Sequence, residues 1–122
     1  MHKGSNNRER GPAVFMYPKS TRLHVRTSTN KSWNDGCDAK TQLALNKWSH
    51  VYVQFAPGTA WVYINGKGSS RCKIGNKLTL NKGDLYLGSP WFQAANANIR
   101  SLRNHNGRLT IQQIRQVMTN RR

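Results

Sequence analysis

The sequence predicts an all-β fold, an antiparallel β-sandwich ending in one short helix, and three observations carry the prediction. Short apolar runs alternate with polar residues at a period of two. Turn residues interrupt them at close, regular intervals. No helical segment separates one run from the next, which disfavours the crossover connections that a parallel sheet needs. At 122 residues the chain holds a single domain, taken here as residues 1–122.

The first strand is Ala13 to Tyr17, after Gly11-Pro12 and before Pro18. From Thr21 to Thr29, Leu23, Val25 and Thr27 share one face, while Arg22, His24, Arg26 and Ser28 share a wet, cationic one. Asn30 to Lys40 has the composition of a long exposed loop, with Trp33 its one large apolar residue. Thr41 to Leu45 and Trp48 to Phe55 read as strands around an Asn46-Lys47 turn. Pro57-Gly58 turns the chain into the strand Ala60 to Asn65, and Asn65-Gly66 is a strong signal for a two-residue hairpin leading into Lys67 to Ile74. Further short strands are expected at Leu78–Leu80, Leu85–Leu87 and Ile99–Leu102. Thr110 and Gln113 have the spacing of a capping box, opening a helix through Ile111, Ile114, Val117 and Met118. Trp48, Val51, Val53, Val62 and Ile64 are expected in the core.

Twenty Lys and Arg stand against four acids, a formal charge of +16. A solvated surface explains single lysines but not so large an imbalance, so an anionic partner is expected. Arg22 and Arg26 on one strand and Arg71 and Lys73 on another form the anticipated anion-binding stripe. Further basic residues are spread along the chain, through Lys67 and Lys77 to Arg100, Arg103, Arg108, Arg115, Arg121 and Arg122. Trp61 and Tyr63 share a strand face, as do His50 and Tyr52, and these aromatic residues either pack inward or form a platform for stacking. Trp91 and Phe92 are adjacent and cannot both point inward from an extended segment, so Trp91 is a further stacking candidate unless the loop folds back over both.

The four acids, Glu9, Asp35, Asp38 and Asp84, give little support to hydrolysis by paired carboxylates. No nucleophile elbow, P-loop or dinucleotide-binding glycine pattern occurs. A non-enzymatic role follows. Cys37 and Cys72 permit one disulfide, whose formation depends on the compartment. No apolar run is long enough to span a bilayer, and the N-terminus is polar.

Trp48-Ser-His50-Val51-Tyr-Val53, then Trp61-Val-Tyr63-Ile-Asn65-Gly66, then Asp84-Leu-Tyr86-Leu-Gly88 resembles the motif order of a laminin-G-like domain in the concanavalin A-like lectin/glucanase superfamily. Upstream, Lys3-Gly4, the Pro12-Ala-Val-Phe run and Arg22-Leu-His-Val fit its opening strands. Downstream, Ile99-Arg-Ser-Leu102, Leu109-Thr110 and Ile114 fit its end. The resemblance implies a jelly-roll sandwich and a module that binds carbohydrate, here an acidic or sulfated glycan. It also implies that calcium can sit at a loop rim, for which Asn34, Asp35 and Asp38 are the candidates, although Asn-Asp-Gly is equally a turn sequence.

Relative to that family an opening strand before Lys3-Gly4 is missing, so the chain is expected to be part of a longer polypeptide or to be completed by a partner, with Lys3, Arg8 and Arg10 blunting the open edge in part. The alternative function is a structural subunit of a large assembly, such as an organellar ribosome, contacting RNA or an acidic protein. A glycan-binding module would be extracellular, and an assembly subunit intracellular or organellar.

Overall fold

The structure, a computed structural model, describes residues 1–120. Arg121 and Arg122, counted among the basic residues above, lie outside the described residues. Eight strands and one helix follow in order: β1 His2–Lys3, β2 Ala13–Met16, β3 Leu23–Thr27, β4 Asp35–Gly36, β5 Val51–Ala56, β6 Thr59–Ile64, β7 Lys67–Lys73, β8 Leu85–Tyr86 and α1 Ile111–Thr119. One sheet has the order β4-β3-β2-β1-β8 and the other β5-β6-β7, with antiparallel pairing throughout. No helix is long and apolar enough to cross a membrane among the described residues. The fold is the all-β sandwich with a short C-terminal helix that the alternation predicts.

In the larger sheet the register pairs Val14 with Val25 and Met16 with Leu23, which sets these apolar side chains on the inner face. β3 alternates as expected: Leu23, Val25 and Thr27 are buried, and His24 and Arg26 are half-buried on the outside. Against it lie Ala60, Val62 and Ile64 of β6, joined by Cys37, Ala39 and Ile74 in one core. Two-residue turns build the smaller sheet. Gly58 supplies a φ of 86° between β5 and β6, and Asn65 and Gly66, at 52° and 74°, make the type I′ turn between β6 and β7.

Cys37, just after β4, is bonded to Cys72 of β7 with Cα atoms 5.4 Å apart. This bridge ties the two sheets along one side. The same side carries hydrogen bonds from Gly75 N to Asp35 Oδ2 (2.8 Å) and from Asn30 N to Lys77 O (2.9 Å).

Several expected elements do not form. Thr41–Leu45 and Ile99–Leu102 are irregular, and Leu78–Leu80 contributes a single bridge from Leu78 to Thr29. Alternation makes a strand only where one side has a layer to face. Leu45 is 74% and Leu80 85% exposed, and neither finds one. Trp48, expected in the core, is 53% exposed, with the Arg100 guanidinium 4.0 Å from its ring. Conversely, the loop Asn30 to Lys40 contains β4. Residues near the N-terminus do not blunt an edge, because β1 lies between β2 and β8. Lys3 Nζ instead donates to Gly83 O (2.7 Å) and Asn81 O (3.0 Å), and Arg10 is buried.

Cys37 and Cys72 are 35 residues apart, and opening the bridge releases that loop in the unfolded chain. The double variant Cys37→Ala/Cys72→Ala is expected to lose about 3–4 kcal/mol of unfolding free energy. Urea denaturation of the oxidised parent and the variant checks this, and equal midpoints would show that other contacts hold the sheets together.

Candidate functional site: the outer face of the three-stranded sheet

Cross-strand pairing arranges the outer face of β5-β6-β7 in rows. Gln54, Trp61 and Arg71 form one, Tyr52, Tyr63 and Gly68 the next, and Ala56, Thr59 and Lys73 a third. Arg71 keeps its place beside Trp61 because of a bulge: Val62 pairs with Ser70 and Tyr63 with Gly68, leaving Ser69 as a surplus residue. The Ser69 hydroxyl accepts from Lys40 N and Thr41 N, both at 3.0 Å, and so anchors the neighbouring loop.

Trp61 is half-buried, with the Arg108 guanidinium 4.7 Å and that of Arg71 5.9 Å from its ring centroid. Tyr52 and Tyr63 meet edge to face at 5.9 Å. Tyr52 Oη donates to Gln54 Oε1 (2.9 Å) and accepts from Leu109 N (3.2 Å), which fixes Arg108 above the sheet. Immediately beyond, Thr110 caps α1 through the capping box with Gln113, and Arg115 Nε donates to Gly66 O (3.2 Å), docking the helix at the β6–β7 turn. Arg71, Lys73 and Arg108 are exposed. The ion pairs among the described residues are made by Asp38, so these three cations have no carboxylate partner there.

Arg22 and Arg26 are elsewhere. They belong to the outer face of the other sheet, so the stripe anticipated with Arg71 and Lys73 is split between opposite sides of the sandwich. Both are also engaged within the chain. Arg26 Nη2 bonds Asp38 Oδ1 at 2.8 Å, and Arg22 Nε donates to Ala39 O at 2.8 Å with its guanidinium over Tyr17. Trp91 too is on this second face, 4.8 Å from the His2 ring and 5.9 Å from Tyr86, while Phe92 meets Phe15 edge to face at 5.4 Å. The loop thus folds back across the sheet and leaves both aromatics partly exposed.

The calcium candidates have other partners. Asp35 accepts from Thr29 Oγ1 and Gly75 N through Oδ2 and from Gly36 N through Oδ1. Asp38 accepts from His24, Arg26 and Tyr17, and Asn34 Oδ1 accepts from Arg10 Nη1 at 2.6 Å. No group of three His, Cys, Asp or Glu side chains with metal-binding geometry occurs among the described residues. A cation at this loop would have to displace those donors, and the turn reading accounts for Asn34-Asp35-Gly36 without it.

Electrostatics around Asp38 are set by the same contacts. Burial pushes its carboxyl upward, but hydrogen bonds from Tyr17 and His24 and the Arg26 charge outweigh it and hold the group below its ordinary range. Burial, then the Arg26 charge, lowers the His24 pKa, so this imidazole is neutral, donating from Nδ1 to Asp38 and accepting from Arg26 Nε at Nε2. The Asp38 hydrogen bond raises the Tyr17 pKa.

A laminin-G family model of the concanavalin A-like lectin/glucanases superfamily matches residues 2–115. The chain belongs to this superfamily. Among solved structures, this laminin-G-like chain is similar to a 2.1 Å crystal structure of an S-layer domain-containing protein (residues 221–444) from Clostridium thermocellum. The two are 15% identical with a TM-score of 0.51, over 96% of this chain and 66% of that one. The chain therefore spans a little under two thirds of that structure, and the likeness is one of fold. A search of curated proteins finds no match.

Arg108 was not singled out as a site residue by the sequence. It comes to Trp61 from 47 positions downstream, a placement made by the Tyr52–Leu109 hydrogen bond, and no local pattern signals it.

The histidines make the laminin-G-like domain acid-sensitive. Burial lowers the pKa of His2, His24 and His50. The unfolded chain, with ordinary values near 6.5, therefore binds more protons than the folded one as pH falls below about 6.5. Asp35 and Asp38, held below their ordinary range, add a second loss as pH falls through the carboxylate region. The melting temperature is expected to fall between pH 7.5 and pH 5 and again below pH 4, and less in the upper interval for His24→Gln. Thermal unfolding across that series checks it, and a flat profile from pH 7.5 to 5 would contradict it.

Proposed function

We propose that this laminin-G-like domain is a non-catalytic carbohydrate-binding module that takes an acidic or sulfated glycan on the outer face of β5-β6-β7. The carrying observation is Trp61 with Arg71 and Arg108 over its ring, Tyr63 on the same strand face and Lys73 in the next row. An indole offers a flat apolar surface against which a sugar ring stacks. A guanidinium displaced from over that ring by the sugar offers two parallel donors to its sulfate or carboxylate. Superfamily membership supports a binding role, and the family's domains are generally binding modules. Asp35 and Asp38 are occupied by internal donors, which disfavours the paired-carboxylate mechanism of glycoside hydrolysis. The disulfide favours an oxidising compartment, where extracellular glycans are found.

Affinity for a sulfated heparin hexasaccharide, measured by calorimetry at physiological salt, tests the reading. Trp61→Ala and Arg108→Ala are each expected to weaken binding about tenfold, as for loss of one charge-assisted hydrogen bond or one stacked ring. Lys19→Ala, an exposed charge in the β2–β3 turn of the other sheet, is expected to leave it within about twofold. Equal losses for Arg108→Ala and Lys19→Ala with none for Trp61→Ala would reduce the interaction to unspecific charge, and no binding of any acidic oligosaccharide would overturn the proposal. Displacement of the hexasaccharide by poly-uridine with a steep salt dependence would favour RNA as the partner instead.

A further inference from the structure

The two sheets are unequal in width. Counting from the side joined by Cys37–Cys72, β7, β6 and β5 face a sheet that continues through β1 to β8, so two strands of the larger sheet have no strand opposite them. At about 4.8 Å per strand, the gap beside β5 is roughly 10 Å wide. A cleft opens there. Its walls include the inner-face residues Val14, Val53, Phe55 and Leu85, with Leu87 and Leu102 nearby. Burial records the same opening: Ala60, Val62 and Ile64 of β6 are buried, whereas Val51, Val53 and Phe55 on the same face of β5 are only half-buried.

β5 also presents an unpaired backbone edge. His50 O accepts from Asn65 N, so His50 and Asn65 form a hydrogen-bonded pair, and the alternation of an antiparallel ladder directs Tyr52, Gln54 and Ala56 toward β6 as well. The N–H and C=O groups of Val51, Val53 and Phe55 therefore point to the free edge, and no hydrogen bond to them is made among the described residues. Such an edge beside an apolar cleft is a template for one more strand.

Charge identifies the occupant. Lys47, Arg100 and Arg103 are among the lining residues, and no Asp or Glu is among them. A second copy would bring another formal charge of +16 to the same place, which repulsion opposes. We infer that the cleft is a docking site for an extended segment of an acidic partner protein, which adds antiparallel to β5. Alternate apolar side chains of that segment enter between the sheets. The intervening carboxylates meet the basic rim, as the period of two in a strand requires.

The test uses the intact chain and an eight-residue peptide alternating valine with glutamate, capped at both ends. Calorimetry is expected to show binding at least tenfold tighter than for the lysine analogue, and at least tenfold tighter than for the same peptide N-methylated at alternate amides, which cannot pair along an edge. Amide exchange followed by NMR is expected to show Val51, Val53 and Phe55 unprotected in the free chain and protected with the peptide. Equal affinity for the N-methylated peptide would reduce the interaction to charge and overturn strand addition. Protection of these amides in the free chain, or no binding of the glutamate peptide, would equally overturn it. A heparin hexasaccharide leaves the three amides unprotected, which keeps this result separate from that for the Trp61 face.

Discussion

The architecture depends on a seam along one side of the sandwich. There Cys37 is bonded to Cys72, Asp35 accepts from Gly75 N and Thr29, Asn30 pairs with Lys77 and Asn76, and Thr79 N donates to Ser28 O. These links connect β3 and β4 to β7 and the chain that follows it. Near the seam Val25, Cys37, Ala60 and Val62 are fully enclosed, and away from it enclosure declines through β5. A small sandwich with few large core residues gains much from such cross-links, since its burial alone leaves little surplus over the entropy of ordering the chain.

The scarcity of acids decides where positive charge is free to act. Asp38 holds Arg26 and, through hydrogen bonds, His24 and Tyr17, while Arg10 is enclosed between Phe15, Trp33 and the carbonyl and side chains of Asn7 and Asn34. Burial, then the Arg26 charge, lowers the Arg10 pKa, and the contacts that hold this cation among the described residues are hydrogen bonds and ring contacts rather than ion pairs. The cations of the smaller sheet's outer face, Arg71, Lys73 and Arg108, have no carboxylate partner among the described residues and lie near a tryptophan.

The elements that local chemistry specifies were legible in the sequence. β3 follows the alternation of Leu23, Val25 and Thr27, the Asn65-Gly66 turn has the positive φ values its residues favour, and Thr110 with Gln113 builds the cap of α1. Leu78–Leu80 and Ile99–Leu102 show that alternation without a facing layer is insufficient, because a strand is stabilised by its neighbours more than by its own residues. The candidate site was legible in part. Trp61 and Tyr63 share a face as their spacing suggests, but Arg71 and Lys73 join them only through the bulge at Ser69, and the separation of Arg22 and Arg26 follows from sheet membership, neither of which periodicity encodes. The ties of Arg10 to Asn34 and of Arg108 to Trp61 are equally long-range.

The bulge at Ser69 has a consequence for which changes of length β7 accepts. Gly68 opposite Tyr63 and Ser70 opposite Val62 are already matched as they would be in a regular ladder. Excising Ser69 would leave every partnership intact and remove the hydroxyl that holds Lys40 N and Thr41 N. Excising Arg71 instead can keep Cys72 opposite Ala60 only by giving up the bulge, with Ser69 moving opposite Val62 and Ser70 opposite Trp61. Within one short strand, a codon lost at the first position trims a loop anchor, and a codon lost two places later removes both the bulge and the cation next to Trp61.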